Sequence, residues 1–139
     1  MEPIRTMAKT FLGAWCARDF DRLEACLDPD VRFHALVGAG PFESTGARAL
    51  VDTLGKLFAA LPFEVRRADV EKGGDGLRFS FLFLVRPDRD ESGDVHVVEQ
   101  LVFAGLRGDR IVSLELFGSV YSVPSIDVPQ TRRPALLAS

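Results

Sequence analysis

The sequence predicts an α+β domain in which three N-terminal helices pack on a curved, mostly antiparallel sheet. Three observations lead there. Up to Leu61 the apolar residues recur mainly at helical spacing, and from Phe63 onward they fall in strand-like runs. Phe79, Phe81 and Phe83 alternate with the period of two that marks one face of a sheet. The strand-like runs are punctuated by turn signals, of which Gly73-Gly74-Asp75-Gly76 is the strongest. At 139 residues and 47% hydrophobic, the chain can bury one core and is too short to suggest two. The expected organisation is one domain over residues 1–121 and an irregular tail over 122–139, where three prolines interrupt any periodicity.

Each element has its own justification. Ile4, Met7, Phe11, Leu12 and Trp15 predict an amphipathic helix to about Ala17. Asp19 can cap a second helix through Leu27, which Asp28-Pro29-Asp30 ends because proline disfavours helix in the residue before it. Val31 to Val37 reads as a strand broken by Gly38, Gly40 and Pro41. Ser44 or Thr45 can cap a third helix, Gly46 to Leu61, with Leu50, Leu54, Leu57 and Phe58 on one side and Pro62 as its stop. Strands follow over Phe63 to Glu71, Leu77 to Val85, Val95 to Leu106 and Arg110 to Val120, with a charged loop from Pro87 to Gly93.

Composition excludes several function classes. No apolar run approaches the roughly 20 residues of a membrane span, and the first residues lack the layout of a secretion signal, so a soluble, cytoplasmic protein is expected. A net charge of −3 with both signs interspersed does not suggest a nucleic-acid surface, and Arg66-Arg67 and Arg132-Arg133 read as solvated charge. Cys16 and Cys26 have no zinc-site spacing and are expected to be reduced. No phosphate-binding glycine loop, dinucleotide fingerprint or nucleophile elbow occurs, so neither metal nor nucleotide is expected as a cofactor.

The chemistry-bearing signal is a pair of glutamates inside apolar runs, Glu99 in Val-Val-Glu-Gln-Leu-Val-Phe and Glu115 in Ile-Val-Ser-Leu-Glu-Leu-Phe. A buried carboxylate must be paired, hydrogen-bonded or kept neutral, and proton-transfer sites use such groups. The bland alternative is a structural carboxylate satisfied by Arg78, Arg32 or backbone. Whether Glu115 shares Glu99's face depends on the hairpin between them. A two-residue turn at Gly108-Asp109 separates the two, and a three-residue loop from Arg107 unites them. Both faces of these last strands are apolar, so a second cover is needed, and a homodimer through the outer sheet face supplies it.

The order of elements resembles the nuclear transport factor 2-like fold, the cone shared by ketosteroid isomerases, SnoaL-like polyketide cyclases, scytalone dehydratase and limonene epoxide hydrolase. Its local marks are Ala17-Arg18-Asp19-Phe20-Asp21-Arg22-Leu23, Asp28-Pro29-Asp30-Val31, Gly46 and Asp109-Arg110-Ile111-Val112. The resemblance implies a ligand chamber and an isomerase, cyclase or dehydratase type of proton transfer on a small hydrophobic carbonyl compound. A non-catalytic binding or dimerisation module of the same fold is the alternative, because this fold hosts many activities. Against the ketosteroid isomerase pattern, Glu99 falls at the protonated acid, Phe11 at the tyrosine and Ala35 on or beside the base, so two of the three groups are missing. Arg86-Pro87-Asp88 superficially matches the Arg-x-Asp of limonene epoxide hydrolases but lies where a loop begins.

The expected catalytic set is therefore Glu99 with His34 or Glu115. Alternation groups Phe33 with Ala35 and Val37, and His34 with Arg32, so His34 reaches a chamber only if a bulge re-aims it. His96, opposite Glu99 on its strand, reads as structural. The expected chamber wall is Phe11, Trp15, Phe33, Ala35, Phe58, Phe79, Phe81, Phe83, Leu101, Phe103 and Phe117, although most of these aromatics also suit an ordinary core.

Overall fold

The computed structural model describes residues 2–37, 40–57, 63–85 and 94–124. In chain order the elements are α1 (Glu2–Ala17), α2 (Phe20–Ala25), β1 (Leu27–Val37), β2 (Gly40–Thr45), α3 (Ala47–Leu57), β3 (Phe63–Gly73), β4 (Gly76–Val85), β5 (Asp94–Arg107) and β6 (Arg110–Pro124). The expected Phe58, the charged loop after Val85 and the residues beyond Pro124 lie outside the described residues.

The amphipathic stripe of α1 is buried as Met7, Ala8, Phe11, Ala14 and Trp15. The helix closes at Arg18, whose φ of 54° is the left-handed conformation usually given to glycine at a helix end. Its N–H donates to the Trp15 carbonyl at 3.2 Å, and the Asp19 N–H donates to that of Ala14 at 2.9 Å. Asp19 then caps α2 by accepting from the Arg22 N–H, as its position in the sequence leads one to expect.

The capping expected at Ser44 or Thr45 does not occur. Both residues belong to β2, where they pair with Phe33 and Arg32, and α3 starts after Gly46 with its φ of 104°. β2 was hidden in the sequence because Gly40 and Pro41 read as breakers, yet an edge strand tolerates both.

One sheet runs β2-β1-β6-β5-β4-β3, antiparallel throughout except for the parallel pair β1 and β6. The helices cover one face, called inner here. Phe33 and Ala35 of β1, Leu114 and Leu116 of β6, Val102 and Ala104 of β5, and the three alternating phenylalanines of β4 join Phe11, Trp15, Leu50 and Leu54 in a single core. At the β3–β4 turn, a side chain on Gly76 would collide with the Ala104 carbonyl, so glycine lets β4 and β5 pair to the very end.

The β5–β6 hairpin has a two-residue turn, Gly108-Asp109, which by itself would separate Glu99 and Glu115. A bulge intervenes. Leu106 pairs with Ile111 but Gly105 pairs with Ser113, so Val112 is an extra residue and the parity of β6 flips. Glu115 thereby joins the face of Glu99. β6 also continues to Pro124, past the expected end at Val120, because Asp94 to Val98 supply partners along its whole length.

Candidate functional site

The inner face is organised by rings. Phe79, Phe81 and Phe83 stack along β4 with centroids 6.4 and 5.7 Å apart. Trp15 lies nearly parallel to Phe81 at 5.5 Å, and Phe11 bridges Trp15 and Phe79 at 5.5 and 4.5 Å. At the other end Phe63 meets Phe83 edge-on at 5.3 Å, and the Arg18 guanidinium sits 3.7 Å above the Phe63 ring. Burial lowers Arg18 from its usual value. The left-handed turn after α1 thus brings a cation to the end of an aromatic column.

One polar side chain enters this apolar wall. Gln100 of β5 is only 4% exposed, and its Oε1 accepts from the Trp15 indole N–H at 3.0 Å. A buried indole N–H needs an acceptor, which explains why a strand facing Trp15 carries an amide. Among the described residues the Gln100 Nε2 makes no hydrogen bond, which leaves its two donors for something else.

Beyond Gln100 the helical cover ends. Val98 is half-buried, Val120 beside it is 61% exposed and Val65 across the sheet is 41% exposed, although all three sit at inner-face register positions. His96 follows on the same face, paired with Val85 and Ser122. The inner face is therefore exposed at the Phe63 end, with Arg18, His96 and Gln100 among its polar groups, and at the Gly76 end an open cavity of about 600 Å³ is lined by Ile4, Arg5, Ala8, Val70, Leu77 and Leu106.

The expected catalytic set does not lie on this face. Register places Glu99 with Leu82 and Ser119, Glu115 with His34 and Phe103, and His34 with Glu43, all on the outer face. Glu99 interacts with Tyr121 there. Loss of water holds the Tyr121 phenol above the usual tyrosine value, and the charge and hydrogen bond of Glu99 add to it. Of the arginine alternatives, Arg78 pairs with Glu71 instead. Although they share a face, Glu99 and Glu115 are displaced by four residues along the ladder, about 13 Å, too far for a coupled acid and base.

His34 Nε2 is 4.0 Å from the Glu43 carboxylate in an open outer cavity of about 640 Å³ shared with Arg32, Ser113 and Glu115. Of the expected chamber wall, Phe11, Trp15, Phe33, Ala35, Phe79, Phe81 and Phe83 are inner. Leu101, Phe103 and Phe117 are corrected to the outer face, where Phe103 and Phe117 meet edge-on at 5.8 Å. The reason is register. Leu82 rather than Phe81 or Phe83 opposes Glu99, so every odd position of β5 turns away from the helices.

No described helix is long and apolar enough to cross a membrane. Among the described residues no group of three His, Cys, Asp or Glu side chains is placed to hold a metal. Arg66 and Arg67, solvated charge in the sequence reading, pair with Glu64 and Asp69.

Comparison with known proteins agrees with this architecture. A protein of unknown function from Burkholderia pseudomallei with the nuclear transport factor 2-like fold superposes with a TM-score of 0.65 at 15% identity, covering 84% of this chain and 90% of that one. A protein with a ketosteroid isomerase-like fold from Catenulispora acidiphila, in complex with trimethylamine, gives 0.63 at 15% identity over 88% and 97%. A limonene epoxide hydrolase-like enzyme of M. tuberculosis gives 0.60 at 19% over 84% and 82%. At these identities the likeness is one of fold. No curated protein matches the sequence. The SnoaL-like domain family matches residues 8–114, most of the chain and every element from α1 into β6, and the protein belongs to that family within the nuclear transport factor 2-like superfamily.

Proposed function

We propose that this SnoaL-like protein binds a small hydrophobic carbonyl compound at the Phe63 end of the inner face. The observation that carries the reading is Gln100, a buried amide fixed by Trp15 whose two N–H donors have no partner among the described residues. An apolar wall with a few placed polar groups is the common form of a small-molecule site. A carbonyl oxygen supplies the acceptor that those donors lack.

Gln100→Glu tests this directly, because it keeps an oxygen for Trp15 and removes the donors. Hydrophobic ketones titrated against the fluorescence of Trp15, the single tryptophan, should bind about tenfold more weakly or worse to the variant. Equal affinities would remove Gln100 from the site.

Catalytic proton transfer on the same ligand is a second reading, favoured by His96 on the face that also carries Gln100. The two α-carbons are about 13 Å apart, so the base would act on a carbon remote from the polarised carbonyl and conjugated with it. Solvent deuterium should then enter the ligand with wild-type protein and not with His96→Asn. The binding-module alternative holds if neither protein exchanges it.

A second copy of the chain covers the outer face in this reading. Supporting it, Leu36, Leu101, Phe103, Phe117 and Tyr121 are all exposed there, within a surround that includes Arg32, His34, Glu99 and Glu115.

A further inference from the structure

We infer that the Gly76 end of the inner face is a second ligand site, for a flexible alkyl monocarboxylate whose chain lies on aliphatic side chains between α1 and the sheet and whose head group is held by Arg5 and Lys72. This site lies at the other end of the face from the one proposed near Phe63 and does not depend on it.

The cavity is the first element. Its volume of about 600 Å³ is within the usual range of small-molecule sites, and its apolar wall is Ile4 and Ala8 of α1 with Val70, Leu77 and Leu106 of the sheet. Ala8 and Leu77 are buried, whereas Ile4, Val70 and Leu106 are only half-buried, so part of this wall still meets water. Covering that surface is a favourable use of an apolar ligand. Every one of these side chains is aliphatic, and none of the rings of the inner face lines the cavity. A planar aromatic ligand therefore finds nothing to stack on here, while a flexible chain can follow the branched wall.

Charge is the second element. Lys72 pairs with Leu77 on β4, as Val70 pairs with Phe79, so Lys72 stands at an inner-face register position in line with the core. Arg5 comes from the opposite wall, on α1 between Ile4 and Ala8. Both cations are exposed, both line the same cavity, and neither has an ion pair or hydrogen bond among the described residues. Long cationic side chains can lay their methylenes on apolar surface and keep the charged head at the wet rim, which places two donors where an alkyl chain would end in its carboxylate.

The acidic residues set the ligand's charge. Glu71 and Asp75 also border the cavity, but Glu71 is engaged by Arg78. Against Arg5 and Lys72 there remains Asp75, which has no partner among the described residues. The balance is a single positive charge. A monoanion neutralises it, and a phosphate dianion would overshoot.

Isothermal titration of the full chain with octanoate, decanoate and octanamide tests the assignment. Decanoate should bind about tenfold more tightly than octanoate, because each methylene taken out of water is worth about three- to fourfold in affinity. At low salt octanoate should bind about tenfold more tightly than octanamide, a preference that falls as salt screens the exposed cations. Arg5→Gln and Lys72→Gln should each reduce that preference about threefold, and the double variant should abolish it. Octanamide binding that stays within a factor of about two reports that the variants keep their fold and cavity. Val70→Gln, in the wall rather than at the rim, should weaken all three probes. Equal affinity for octanoate and octanamide, a preference that survives the double variant, or no gain from octanoate to decanoate overturns the assignment, and so does failure of decanoate to bind. None of these results bears on the ketone titration of Gln100→Glu, which reports on the Phe63 end.

Discussion

Phe11→Ala should lower the free energy of unfolding by about 3–5 kcal/mol. Phe11 is fully buried, and its ring packs against Trp15, one turn further along α1, and against Phe79 of β4. Its removal subtracts the transfer energy of a large side chain and opens a cavity that the neighbours cannot collapse into. Trp15 is held on its other sides by Phe81 and by the Gln100 hydrogen bond, and Phe79 by its position on β4. Urea unfolding followed by far-ultraviolet circular dichroism measures the loss, and a cost under about 1.5 kcal/mol would show that the column tolerates a missing ring. The change should also loosen Trp15 and so weaken any ligand that depends on Gln100. The ketosteroid isomerase pattern puts a tyrosine hydroxyl at this position, whereas here the position is filled by an apolar ring without access to solvent.

Phe117→Glu should convert the proposed dimer into a monomer, raising its dissociation constant by about 100-fold or more. Phe117 stands at the centre of the outer patch, with Leu36 opposite on β1, Leu101 opposite on β5 and Phe103 edge-on at 5.8 Å. In a two-fold interface the substitution enters twice, so two carboxylates lose water and face each other across one axis. The wild-type side chain is 37% exposed in the single chain, so the variant's own fold should change by less than about 1 kcal/mol. Sedimentation velocity over a dilution series gives the result. A wild-type chain that sediments as a monomer at all concentrations would dispose of the dimer, while unaltered association of the variant would move the interface elsewhere. Glu99 and Tyr121 lie on the same face, and that pair would then be an interface element rather than a catalytic one.

Much of the architecture was legible before any coordinates, because it depends on local patterns. The stripe of α1, the cap at Asp19, the alternation of the β4 phenylalanines and the turn before Gly76 all lie where the periodicities put them. The order of helices and strands was enough to suggest the family that the comparison then assigned. What failed was the assignment of faces. Glu99 and Gln100 are adjacent, and each has apolar neighbours two positions away on either side, so alternation says only that they point in opposite directions. Trp15 carried the one usable clue, since a buried indole N–H requires an acceptor on whatever strand it faces.

The sequence by itself determined the class of the fold, the helix-then-sheet order and the apolar composition of both sheet faces, because these follow from residue spacing within single elements. Only the tertiary structure decided which residues face the helices. That choice depends on the register of β5 against β4, across a connection too long for turn geometry to fix it, and for β6 on one extra residue at Val112. A shift of one residue exchanges every inward side chain for an outward one. By that margin the helix-covered face carries Gln100 and His96 rather than Glu99 and Glu115.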